Sequence, residues 1–243
     1  MLRGEHRGMY HEKHMSHGKK YNKAFEQIEA GKVYTVAEAV AFLQANKVAK
    51  FDESVEMHFK LGISSKKNDE NVRGTVVLPH GTGRSQKVAV VTSTKLKEAQ
   101  DAGASLAGGE ELIAQIKSGK ANPGVHFDLV LATPEMMPKL AQVAKILGPK
   151  GMMPSPKNET VTQKIGETVE MLQKGKKASY KNDDTGNIHQ VVGKLSFEAA
   201  KLEENVRTFI EAIERGKPEG LKGRFILKMT LTSTMGPGLA IAK

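Results

Sequence analysis

Three observations predict an α+β domain split across the two ends of the chain, an antiparallel sheet with helices, interrupted by an inserted α/β segment. Both ends carry strands that alternate apolar and polar residues, whereas the middle carries continuous apolar strands each followed by a helix. Each end is only some 70 to 80 residues long, marginal as a separate core. Together they make a domain of ordinary size, which places the boundaries at a tail over 1–20, a split domain over 21–82 and 176–243, and an insertion over 83–175.

Apolar residues at Tyr21, Ala24, Phe25 and Ile28 recur at helical spacing up to Gly31. Thr35 with Glu38 three residues on reads as a capping box, so a second helix covers about 35–46. From Phe51 the period changes. Val55, Met57, Phe59 and Leu61 alternate with Ser54, Glu56, His58 and Lys60, a strand with one wet face. Val72 to Leu78 is another strand, halted by Pro79-His-Gly-Thr-Gly83. In the middle, strands at 87–92, 104–107 and 127–132 alternate with helices near 95–102 and 110–117 and from Pro134 to Leu147, and a last helix covers about 163–174. Thr133-Pro134 opens the third of these, with Pro at the first helical position. Strand and helix in alternation, with strands buried on both faces, describe a small parallel layer fold. After Gly175, segments 177–183 and 188–192 flank Asp184-Thr-Gly-Asn187 as a hairpin, with Asp183 and Asp184 shaping the turn. Phe197 to Arg215 is an amphipathic helix. In the last strand, Phe225, Leu227, Met229 and Leu231 face inward against Ile226, Lys228, Thr230 and Thr232. Glycines at the two crossings, Gly81, Gly83 and Gly175, are candidate hinges.

Composition narrows the function. Thirty-seven Lys and Arg against 27 Asp and Glu leave a formal charge of +10, which suits a polyanionic partner such as nucleic acid. The excess is spread evenly: 13 basic against 10 acidic residues in 1–83, 12 against 9 in 84–174 and 12 against 8 in 175–243. Net charge therefore does not locate the site, and a single amphipathic membrane helix is disfavoured. No apolar run approaches ~20 residues and the start has no apolar signal region, so no membrane association is expected. Zero Cys removes disulfides, thiolate nucleophiles and cysteine-ligated zinc. His6, His11, His14 and His17 lack a carboxylate or Cys to complete a metal set, and neither metal nor cofactor is expected.

Enzyme motifs fail on inspection. Gly81-Thr-Gly-Arg-Ser85 imitates the end of a phosphate loop, but Leu78 stands where a Gly is needed, Arg84 where a Lys is needed, and a strand follows instead of a helix. Gly103-Ala-Ser-Leu-Ala107 lacks one residue of a nucleophile elbow. A nucleotide-binding α/β enzyme is thus the rival reading, and a protein-docking scaffold using the stiff basic loop Leu147–Lys157 is a second. The Thr232-Ser-Thr-Met-Gly236 exit from the last strand offers small donors and acceptors that can reach 2′-hydroxyls and phosphates, as shape-directed RNA recognition requires. A Thr-rich edge strand would look the same.

Seven blocks in order, KFDESVEMHFKLGI (50–63), NVRGTVVLPHGTGR (71–84), GGEELI (108–113), ATPEMM (132–137), ILGPKGMMPSPK (146–157), DDTGNIHQVVGKLSF (183–197) and TSTMGPG (232–238), give the chain from Lys19 to Gly238 a resemblance to the bacterial-type L-one family of large-subunit ribosomal proteins. The resemblance implies a split α+β domain that binds large-subunit rRNA, a hinged Rossmann-like insertion, and a role at the mobile stalk beside departing exit-site tRNA. It also implies a cytoplasmic ribosomal monomer, with a bacterial cytosol and an organelle not distinguished, and binding to its own messenger. Carried over by motif, the RNA surface falls on Lys50, Phe51, Ser54, Glu56, Lys60, Thr232, Thr234, Met235 and Gly236, with Lys181, His189 and Lys228 as neighbours. Glu56 would be an acceptor for RNA or an organiser of Lys60, and Phe51 an RNA contact or a core staple. Thr234→Val is expected to weaken RNA binding and leave thermal stability almost untouched.

Overall fold

The computed structural model describes residues 17–29, 31–63, 71–218, 220–221 and 223–242. His6, His11 and His14 lie outside them, and Lys19 and Lys20 of the expected tail already belong to a helix. Helix α1 (Lys19–Phe25) stops six residues before Gly31 and buries only Ala24, too little packing to extend it. Helix α2 (Val36–Ala45) starts as expected: the Thr35 hydroxyl accepts from the Glu38 N–H and the Glu38 carboxylate accepts from the Thr35 N–H.

Four strands form one antiparallel sheet in the order β7 (Asn187–Lys194), β1 (Ser54–Leu61), β8 (Ile226–Ser233), β9 (Leu239–Ala240). The alternation read from residues 54–61 is the alternation observed, with Val55, Met57, Phe59 and Leu61 all buried. Their face is covered by α2 and by α8 (Ala199–Arg215), whose Leu202, Val206, Phe209 and Ile213 complete the core. Phe209 sits at its centre, edge-on to Phe59 and to Tyr180 with ring centroids 5.5 and 5.7 Å away. Tyr180 comes from a two-stranded antiparallel ribbon of β2 (Arg73–Val77) and β6 (Lys177–Lys181), and its hydroxyl donates to the Ala212 carbonyl.

Between these elements lies a three-stranded parallel sheet, order β4 (Leu106–Gly108), β3 (Val88–Val91), β5 (Leu129–Ala132). All four residues of β3 are buried, and they divide by parity. Ala89 and Val91 meet α4 (Glu110–Lys117) and the 134–147 segment, while Val88 and Val90 meet α3 (Leu96–Asp101) and α7 (Ile165–Gln173). The buried clusters do not mix: one draws on residues 34–78 and 178–241, the other two on 88–172.

Three expectations need correction. The 134–147 segment is not one helix: 3-10 turns at Pro134–Met136 and Ala141–Val143 separate α5 (Met137–Leu140) from α6 (Ala144–Leu147). Pro138 has no N–H to give the Pro134 carbonyl, so a continuous α ladder cannot form there. The 184–187 turn closes, but β6 and β7 do not pair as a hairpin; β6 joins β2 and β7 joins β1. Leu227 is 48% exposed because the β1–β8 register shifts beside it, from Lys60↔Lys228 to Leu61↔Ile226.

The two crossings of the chain lie against each other. Leu78 and Thr82 donate their N–H groups to the Lys176 and Gly175 carbonyls. Gly175 has φ 62°, and a Cβ there would sit 2.4 Å from the Arg84 carbonyl oxygen. Asn205, fully buried on α8, accepts from the His80 N–H and donates to the Gly81 and Val192 carbonyls, so it ties one crossing to β7. On the other crossing, the Lys177 side chain is buried and its ammonium meets the Glu159 carboxylate at 2.8 Å. Glu159 is the one non-glycine residue with positive φ among the described residues. Gly175→Ala should lower the unfolding free energy by about 2 kcal/mol in urea titration, from left-handed backbone strain plus the carbonyl clash; an unchanged midpoint would show that the crossings relax freely.

Candidate nucleic-acid interface

The sheet face turned away from α2 and α8 is laid out in rows by the strand register. Asn187, Lys60 and Lys228 form one row; His189, His58 and Thr230 the next; Val191, Glu56 and Thr232 the third; Lys194 and Ser54 the fourth. Strand parity puts these side chains outward, so Ser54, Glu56, Lys60, His189, Lys228 and Thr232 do share a face. Thr234, Met235 and Gly236 form the turn at its end, and Lys50 and Phe51 lie on the loop that leads into β1. Phe51 is 55% exposed and Met235 52%, so Phe51 is no core staple.

A buried carboxylate builds that end of the face. Glu53 continues the inward parity of Val55 and Met57 and is fully buried. One of its oxygens accepts from the Val48 and Ala49 N–H groups, at 3.0 and 2.7 Å; the other accepts from the Ser233 hydroxyl at 2.7 Å and the Met235 N–H at 3.1 Å. Burial pushes the carboxyl pKa up, but the Ala49, Ser233, Met235 and Val48 donors outweigh it and hold it below its ordinary value. Glu53 thus fixes both the approach to β1 and the Thr-Met-Gly turn. It escaped the motif reading, although carrying the period of two back from Val55 would have found it.

The turn hydroxyls are spent inside the protein. Thr234 Oγ1 accepts from the Ser54 N–H at 2.9 Å and Thr232 Oγ1 donates to the Ser233 and Gly236 carbonyls. A Cβ on Gly236 would lie 2.4 Å from Ser233 Oγ, so glycine there admits the hydroxyl that Glu53 needs. The expectation that Thr234→Val leaves stability untouched is therefore corrected: it removes the acceptor of a backbone N–H.

Elsewhere on the face, Lys60 Nζ donates to the Thr185 carbonyl at 2.7 Å. Glu56 is four residues away along an extended strand, roughly 13 Å, so it does not organise Lys60. Thr185 belongs to the turn that Asp183 holds, accepting from the Thr185 and Asn187 N–H groups. The Asn187 N–H, against a contrary push from burial, keeps the Asp183 carboxyl well below the usual carboxylate range. His58 and His189 meet Nδ1 to Nδ1 at 2.8 Å, one donating and one accepting. Burial first, then the charge of His189, lower the His58 pKa against a raising effect of Glu56. Lys194, missed in the sequence, donates to Ser54 Oγ at 2.8 Å. Lys181 lies on the ribbon, not on the four-stranded sheet.

Counter-ions reach only some of the cations. On α8, Lys201, Arg207 and Arg215 pair with Glu198, Glu203 and Glu211 one turn away. Among the described residues no carboxylate pairs with Lys60 or Lys228, which stand directly opposite each other. Like charges across a ladder cost stability, and a polyanion removes that cost. No group of three or more metal-ligating side chains occurs among the described residues, and none of their helices is long and apolar enough to cross a membrane.

An open sheet face carrying opposed lysines and rimmed by a rigid turn has the character of a binding protein for a large anion. Residues 43–237 match the ribosomal protein L1p/L10e family. The chain is 47% identical over 223 residues to the large ribosomal subunit protein uL1 of Mycoplasma capricolum, covering 92% of this chain and 97% of that one. It is 46% identical over 227 residues to the uL1 of Thermus thermophilus, covering 93% and 97%, and 46% identical over 224 residues to that of Kosmotoga olearia, covering 92% and 95%. The chain belongs to the ribosomal protein L1p/L10e family. It is a structural ribosomal component and not an enzyme, which disposes of the nucleotide-binding enzyme.

Glu53→Gln should unfold about 2 kcal/mol earlier at pH 7, because an amide nitrogen faces donors that need an acceptor. The lowered pKa gives the sign: the stabilisation is present above the ordinary carboxylate range and is lost as pH falls through the folded value. The gap between wild type and variant should narrow as urea midpoints are followed into acid; a gap independent of pH would contradict the assignment.

Proposed function

We propose that the chain anchors in the large ribosomal subunit by gripping structured rRNA with the outer face of β7-β1-β8 and the 232–236 turn, using Lys50, Phe51, Lys60, Lys228 and Met235. The observation that carries this reading is the Lys60–Lys228 pair, two cations opposed across a ladder with no described carboxylate between them. Lysines supply salt-dependent affinity, and the turn locked by Glu53 supplies fit. Residues 21–82 and 176–243 are then one RNA-binding domain, and 83–175 a Rossmann-like arm carried on the crossings at Gly81, Gly83 and Gly175. The separate buried clusters of these segments support that division. As a mobile-stalk protein the chain works as a monomer in the cytoplasm, the arm accompanies deacylated tRNA from the exit site, and the same face grips the protein's own messenger.

Filter binding to a folded large-subunit rRNA fragment tests the reading. Met235→Ala should lose affinity with its thermal midpoint unchanged, since the exposed thioether packs on nothing essential. Thr234→Val should lose more than ~1 kcal/mol of affinity and lower the midpoint as well, because the Ser54 N–H loses its acceptor. Wild-type affinity in both variants would remove the turn from the interface.

A further inference from the structure

One pair of side chains on the sheet face has no part in the proposed grip on RNA. His58 of β1 and His189 of β7 are directly opposed in the ladder, and their Nδ1 atoms lie 2.8 Å apart. Two nitrogens bound to one cation at ~2.0–2.1 Å stand roughly 2.9 Å apart at a right angle and roughly 3.3 Å apart at the tetrahedral angle. The pair is therefore already at the bite of a chelate, and two strands of one sheet hold it there. The surroundings also suit a cation. Nε2 of His189 faces the Asp183 carboxylate at 3.8 Å, and a carboxylate on the far nitrogen is the usual companion of a metal-bound imidazole. The charges nearest the pair balance, Glu56 and Asp183 against Lys60 and Lys228, and Lys60 is drawn aside to the Thr185 carbonyl. Burial first, then the charge of His189, against Glu56, keep the His58 ring in the neutral form that ligates metals at pH 7. His189 is exposed and His58 half-buried, so an ion reaches both from solvent.

We propose that His58 and His189 form a two-imidazole site for a borderline divalent transition-metal ion, with copper(II) preferred over zinc(II). Imidazoles select these ions over magnesium or calcium, and the near-right-angle bite favours copper. Asp183 keeps a proton on His189 Nε2, so the proton between the rings belongs to His58 Nδ1. On binding, that proton moves to His58 Nε2 and both Nδ1 lone pairs go to the ion. Two protein ligands leave the other positions to water, so the ion exchanges and occupancy follows its free concentration, unlike a closed structural site. The sequence could not show this pair, because the two residues are 131 positions apart and meet only through the β1–β7 register.

The test is calorimetric titration of the full chain with Cu2+, Zn2+ and Mg2+ in the absence of RNA. His6, His11, His14 and His17 are replaced by Gln in every sample, so that tail imidazoles do not compete. Cu2+ should bind at pH 7, Zn2+ more weakly and Mg2+ not at all, and the electron paramagnetic resonance spectrum of the copper form should show two imidazole nitrogens. His58→Gln and His189→Gln should each weaken Cu2+ binding at least about tenfold, with the metal-free thermal midpoint little changed. His80→Gln, whose ring pairs with Glu204 instead, should bind like its parent. Binding should fade toward pH 5 as the imidazoles take up protons. No binding by the parent chain, wild-type binding in either pair variant, or an equal loss in the His80 variant overturns the proposal and leaves two rings that only share a proton. With no RNA present, none of these results bears on the sheet face as an RNA surface.

Discussion

One buried carboxylate holds the entry to β1 and the exit from β8 together. Glu53 stands at the entry to β1, and its four donors come from residues 48–49 and 233–235, near the two ends of the described chain. A charge this deep is tolerated only when hydrogen-bonded on all sides, so the loop before β1 and the turn after β8 have little freedom left. The proposed shape-directed recognition of RNA needs that rigidity, because a contour that fluctuates cannot discriminate between folds. The turn hydroxyls brace the backbone, and Phe51 and Met235 stay exposed beside it.

The distribution of cations divides the labour. On α8, lysine and arginine sit one turn from a carboxylate, and their charge is largely cancelled at short range. On the strands of the sheet face they stand opposed and unneutralised. An even spread of net charge along the sequence therefore does not show which cations the fold leaves without a carboxylate.

What could be read from the sequence follows the range of the interactions involved. The capping box at Thr35, the parity of 54–61 and the buried strands of the middle are local, and each was legible. The hairpin at 184–187 was misread because turn chemistry says that a chain reverses, not which neighbour each strand then finds. Leu227 was misplaced by a register shift that exists only in the pairing with β1. Asn205 lies in none of the quoted motifs, and Lys194, although inside the 183–197 block, was not singled out, since their partners lie on other elements. At Thr234 and Gly236 the sequence showed a rigid hydroxyl-rich exit, but not that the hydroxyls and the glycine act on the protein's own backbone.

The sheet has one further property, set by the order in which its strands are made. β1 lies between β7 and β8, so the first strand of this sheet waits for neighbours that begin only at Asn187 and Ile226, beyond the whole parallel layer. A chain emerging from the ribosome can assemble the parallel layers early, whereas the four-stranded sheet closes late, by long-range pairing.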